Sequence, residues 1–180
     1  MNIENFITNR KSIEKLTKEM TQIGCDGWET KYIDNTDKNE WIKVYLESEY
    51  HGCENPILFK HPKPSQSELI NILIKITNIN QISAIACLLK DSEFDKSDNH
   101  IEFRYELIEK LENIVNDNDF ILSEFERKRL TTIIYDSELD EPYNQREIVK
   151  KKSIEVENDH LYYKDISLRA KRILAIANSI

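Results

Sequence analysis

The chain has 180 residues, 39% hydrophobic and 32% charged, with a formal net charge of −8. That balance fits a folded globular protein and excludes an intrinsically disordered one. No apolar run approaches the roughly 20 residues of a membrane span, and the acidic balance argues against nucleic acid and anionic membranes as partners, since both attract stripes of Lys and Arg.

The length suits a single domain over 1–180, with an N-terminal part at 1–60 and a helical part at 65–180. Met1-Asn2-Ile3-Glu4-Asn5-Phe6 is polar and acidic, without the basic start and apolar centre of a secretory signal, so a cytoplasmic location is expected. Cys25, Cys53 and Cys87 are odd in number and widely spaced, which fits reduced thiols rather than a disulfide framework.

In chain order, Ile3, Phe6, Ile7, Arg10, Ile13, Leu16, Thr17, Met20 and Ile23 recur at spacings of three and four. They predict an amphipathic helix over 2–22, with Gly24 as its C-cap. Residues 28–33 and 40–46 then flank the turn-rich Asp34-Asn35-Thr36-Asp37-Lys38-Asn39 and predict a β-hairpin. Trp41, Lys43 and Tyr45 share one of its faces; Ile42, Val44 and Leu46 share the other. All three glycines, Gly24, Gly27 and Gly52, lie in this part, and a glycine-free remainder favours helices over turn-dense sheet. Pro56, Pro62 and Pro64 mark a connector.

Beyond it, Ser65-Gln66-Ser67-Glu68 and Ser123-Glu124-Phe125-Glu126 have the capping-box form. Apolar rows predict helices over Leu69–Ile76, Ile82–Leu89, Ile101–Val115 and from Ser123 through Ile134. Residues 144–178 predict one long helix, or two with a break near Asn158-Asp159. In it Val149, Val156, Tyr163, Ala170 and Ala177 recur every seven residues, and Ile166, Ile173 and Ile180 form a second row. The rows suit packing within the domain better than a coiled coil, because the heptad is imperfect. The expected fold is mainly α: a helical bundle, or a short HEAT/armadillo-like helical repeat, with one N-terminal β-hairpin.

The repeat reading comes from an echo. Asp91-Ser92-Glu93-Phe94-Asp95 follows Leu88-Leu89, and Asp136-Ser137-Glu138-Leu139-Asp140 follows Ile133-Ile134, 45 residues later. That offset falls in the period range of HEAT and armadillo units. The span 91–141 also holds 16 Asp and Glu against 6 Lys and Arg. Such a surface either keeps the chain soluble or meets a basic protein partner. If it is an interface, its candidate residues are Asp91, Glu93, Asp95, Asp98, Tyr105, Tyr135, Asp136, Glu138, Asp140 and Glu141, with the two tyrosines as anchors or as core.

Catalytic chemistry finds little footing. No glycine follows residue 52 to build a phosphate loop, and no paired zinc-ligand spacing occurs. His51, Cys53 and His61 are too loosely spaced for a zinc site. Asp95-x-x-Asp98-Asn99 lacks the central Gly and closing Glu of a calcium loop. Cys87 lies among Ala86, Leu88 and Leu89, as an inert core thiol would. No catalytic residue, metal or cofactor is expected, and the chain reads as a non-enzyme.

One segment is distinctive: Trp41-x-x-x-Tyr45-x-x-Ser48-Glu49-Tyr50-His51-Gly52-x-x-x-Pro56-x-Leu58. It resembles a segment of bacterial immunity proteins from polymorphic-toxin and contact-dependent growth inhibition systems, over residues 28–58. In that family a strand ending in Trp and Tyr runs into Ser-Glu-x-His and glycines, then Pro and Leu. Here Cys53, Glu54 and Asn55 stand where further glycines are expected. The resemblance implies a non-enzymatic protein that neutralises a cognate toxin. Toxin domains of these systems are often nucleases with basic substrate surfaces, which the acidic span would suit as a phosphate mimic. The alternative is a helical-repeat protein–protein interaction module unrelated to toxins.

Overall fold

A computed structural model describes residues 6–27, 29–45, 56–93, 103–116, 122–144 and 148–179. The chain forms two compact units, Met1–Asp91 and Ser92–Ile180.

The first unit is α+β. Strands β1 (Phe6–Ile7), β2 (Met20–Asp26), β3 (Glu29–Asp34), β4 (Glu40–Tyr45) and β5 (Pro56–Lys60) form one antiparallel sheet in the order β1-β5-β4-β3-β2. Helix α1 (Arg10–Glu19) precedes β2, and α2 (Gln66–Lys75) and α3 (Ile79–Ser92) follow β5. This overturns the expected mainly α fold with a single hairpin: β3 and β4 pair across the 35–39 turn, but they are the middle of a five-stranded sheet.

Two segments account for the difference. Of the helix predicted over 2–22, only Arg10–Glu19 is helical among the described residues; Phe6–Ile7 and Met20 onward are strand. Asn9 caps α1 by accepting from the Ser12 N–H at 3.0 Å. At the other end, Asn35 from the β3–β4 turn donates Nδ2 to the Glu19 carbonyl at 2.7 Å and accepts from Thr21 Oγ1 at 2.8 Å. A side chain 16 residues away thus satisfies the last helical carbonyl and starts the strand. Gly24 is therefore no C-cap; it sits beside a register shift in β2 between Gln22 and Gly24. The second segment is Pro56–Lys60, expected as connector. It is a buried strand between β1 and β4, with Pro56 as its first residue, where a missing N–H costs least.

Register pairs Leu58 with Lys43, Trp41 with Tyr32, and Ile42 with Phe59. On one face Ile13 of α1 joins Trp41 and Leu58 in a core flanked by Ile7, Leu16, Met20 and Tyr32. On the other, Ile42, Ile57 and Phe59 are buried, and Phe59 stacks on Phe6.

The second unit is helical: α4 (Phe103–Asn116), α5 (Glu124–Asp136) and α6 (Ser153–Asn178), with α6 packed against both others. Both capping boxes predicted from sequence are present, at Ser65/Glu68 and Ser123/Glu126. Helix α6 is continuous through Asn158-Asp159, where Asp159 is buried and pairs with Lys151. The helix starts at Ser153, later than the predicted residue 144, so Val149 precedes it and is exposed; within α6 the two seven-residue rows turn inward, with Val156 half-buried and Tyr163, Ile166, Ala170, Ile173 and Ala177 buried.

Leu58 is fully buried on a central strand under α1. Leu58→Ala is expected to destabilise the first unit by about 2–5 kcal/mol. Both tryptophans lie in this unit, so urea unfolding followed by Trp fluorescence is the check.

Candidate functional site

Among the described residues, the candidates differ in burial and fall in both units. Asp91 is exposed in the last turn of α3, in the first unit. Asp95 and Asp98 lie outside the described residues, as do Ser48 to Asn55 of the distinctive segment. The other candidates belong to the second unit.

Glu93 is not a surface residue. Its side chain is 1% exposed and faces the fully buried Arg104 of α4. Arg104 Nε donates to both Glu93 oxygens at 3.0 Å, and Nη2 donates to Oε2 at 2.9 Å. Tyr163 of α6 donates its hydroxyl to Glu93 Oε1 at 2.8 Å. Arg104 also lies against the Phe103 and Tyr163 rings, at 5.3 and 5.0 Å. Arg104 Nη1 reaches the Glu138 carbonyl at 2.6 Å. The glutamates of the two echoed motifs thus meet at one arginine, one through its carboxylate and the other through its backbone.

That backbone contact fixes the turn after α5. Leu139 N–H bonds the Ile134 carbonyl and Glu138 N–H bonds that of Tyr135, the paired bonds of a Schellman motif. Buried Leu139 and Ile134 occupy its usual apolar positions. Glu138 has φ 53°, the left-handed conformation that favours glycine. The helical half thus does contain positions of glycine-like backbone, at Glu138 and Lys150. Two residues on, the Asp140 carbonyl accepts from Ser167 Oγ of α6 at 2.6 Å. Helices α4 and α6 therefore hold the turn from beneath. The side chains of Asp136, Glu138, Asp140 and Glu141 stay half-exposed, beside the exposed Tyr135 ring.

Tyr105 is exposed on α4, but Arg169 of α6 lies 5.2 Å over its ring. Arg169 also grips Glu112 with Nε at 2.9 Å and Nη2 at 2.6 Å. These hydrogen bonds, with the attraction of the guanidinium, hold the Glu112 carboxyl below its ordinary value of 4.5. They raise Arg169 further above the range in which it titrates.

Sequence reasoning missed Arg104, Tyr163 and Ser167 as determinants of this turn. An arginine within a run of buried helical positions was the available signal. Among the described residues, no group of three or more His, Cys, Asp or Glu is arranged to hold a metal ion. Among them also, no helix is long and apolar enough to cross a membrane. No family model, curated protein or solved structure matches the chain.

Arg104→Met leaves the Glu93 carboxylate buried and unpaired, so it is expected to cost about 3–5 kcal/mol, whereas Arg104→Met with Glu93→Leu recovers most of that loss. Helical circular dichroism during urea unfolding measures both. Glu112 has a depressed carboxyl in the folded state, so its contribution is fully present above 4.5 and fades as pH falls through the lower folded value. The difference in Tm between the parent chain and Glu112→Gln should therefore shrink below pH 4.5 and stay constant above it.

Proposed function

We propose that the protein is a non-enzymatic immunity protein that binds a basic surface of a cognate toxin domain, with nucleases as the toxin class that fits best. The observation that carries this reading is the acidic turn Asp136–Glu141. It sits at the carbonyl end of α5, where the helix dipole favours cations, and the last turn of α5 contains no basic residue. The acid there works against local stability, a placement that recognition of a basic partner accounts for. The backbone of the turn is already fixed by Arg104 and Ser167, which lowers the ordering cost of binding. Tyr135 beside it supplies an aromatic anchor. The Trp41-to-Leu58 resemblance supports the toxin as the partner class. Glu93, being internal, belongs to the support of this surface and not to the surface itself.

The test uses the toxin domain encoded directly upstream of this gene. Asp136→Asn with Glu141→Gln is expected to weaken binding and flatten its salt dependence. The same pair should stabilise the free protein by about 0.3–1 kcal/mol, because like charge leaves the helix terminus. Calorimetric titration at two salt concentrations and thermal melts read the two effects. Unchanged affinity and salt slope would place the contact elsewhere, and absence of any binding or protection of cells would end the reading.

A further inference from the structure

Helix α6 carries a third apolar row that neither its core nor the acidic turn uses. Ile154, Leu161 and Leu168 are 58%, 54% and 50% exposed, and they recur every seven residues. At 3.6 residues per turn the row lies on the side opposite the buried Tyr163 and Ala170. A helix with one core face normally turns polar residues outward. This one presents three large aliphatic side chains in line, flanked by the exposed Glu157, Lys164 and Lys171 on one side and Asn158, Asp165 and Arg172 on the other.

We infer that this row pairs with the same row of a second copy of the chain, antiparallel, about a two-fold axis passing Leu161. The charges select the partner and the register. An antiparallel two-fold pair sets each flank against the same flank of the other helix. With the axis at Leu161, Leu168 meets Ile154 of the second copy, and Glu157 meets its Lys164, twice over by symmetry. Asp165 meets Asn158, so no like charges oppose one another. With the axis midway between Leu161 and Leu168, Lys164 would face Lys164 and Asp165 would face Asp165. With the axis at Leu168, Lys164 would face Lys171. A parallel in-register pair would set Lys171 against Arg172. Like charges so placed disfavour those arrangements, as flanking charges set pairing in coiled coils. A contact built on one helix face is small, below the roughly 1,200 Å² of the standard stable interfaces. The dimer should therefore dissociate on dilution.

Sedimentation of the intact chain over a concentration series is the first measurement. A mass rising from 21.3 kDa towards twice that value is expected, and a monomer throughout overturns the inference. Disulfide trapping reads the register, in chains with Cys25→Ser, Cys53→Ser and Cys87→Ala. Leu161→Cys should cross-link to itself under mild oxidation. Leu168→Cys should not, but it should cross-link to Ile154→Cys when the two chains are mixed. Self-cross-linking of Leu168→Cys as efficient as that of Leu161→Cys would overturn the antiparallel register. Glu157→Lys should raise the dissociation constant about fivefold, and adding Lys164→Glu to the same chain should restore it; a double variant no better than the single one counts against the pairing. These residues lie away from the α6 core face, so an unchanged circular dichroism spectrum separates lost association from lost folding.

Discussion

The second unit depends on where one guanidinium can be satisfied. Arg104 is fully buried, and its charge is answered from three separate places: Glu93 before α4, the Glu138 carbonyl after α5, and the Tyr163 ring and hydroxyl network on α6. Removing such a charge from water is expensive, and the ion pair returns little more than that cost. Its consequence is geometric. A planar fork with fixed donors accepts few arrangements of its acceptors. The arrangement it accepts here ties the turn after α5 to α4 and sets Tyr163 of α6 against the same carboxylate.

That constraint explains a feature of the turn that would otherwise be a liability. Glu138 occupies the left-handed position at the end of α5, at a cost of about 1 kcal/mol relative to glycine. Both Schellman bonds form, Leu139 is buried, and the outward carbonyl finds Arg104. The backbone is therefore over-determined, and a charged residue is tolerated where glycine is usual. Once the backbone is set in this way, the side chains of Asp136, Asp140 and Glu141 are relieved of a structural task in forming the turn. Half-exposed, they place their charge at a helix end that does not favour it. Structure and electrostatics are divided between the two sides of a six-residue segment.

Local chemistry was legible in the sequence, and long-range satisfaction was not. The two capping boxes and the β3–β4 hairpin depend on residues within a few positions of one another, and they stand as read. The end of α1 depends on Asn35, which no periodicity within 2–22 can report. Met20 and Ile23 prolong the helical spacing of Ile13 and Leu16, yet they lie in an edge strand that is largely exposed and so lacks the alternation of a half-buried one. Pro56–Lys60 fails for the opposite reason: buried on both faces, it shows no alternation, and its neighbouring prolines resemble a connector. The echoed Asp-Ser-Glu motifs were visible as acid and as a spacing. That the first glutamate is internal and the second acts through its carbonyl depends on Arg104, which the pattern of charge alone counts merely as one base among many acids.

Helix α6 shows the same limit at larger scale. Its sequence contains three rows at seven-residue spacing, and a one-dimensional reading has no means of ranking them. The rows through Tyr163 and Ile166 face inward because α4 and α5 cover them. The row through Leu161 has the same period and similar composition, but it is left on the far side once that packing is made. Ser167 and Leu168 are adjacent in sequence and serve opposite faces: Ser167 holds the Asp140 carbonyl of the acidic turn, and Leu168 stands in the outward row. Because a helix turns about 100° per residue, neighbours of this kind are chemically independent. A change at Leu168 therefore leaves the acidic turn in place, and the two surfaces of this unit can be altered one at a time.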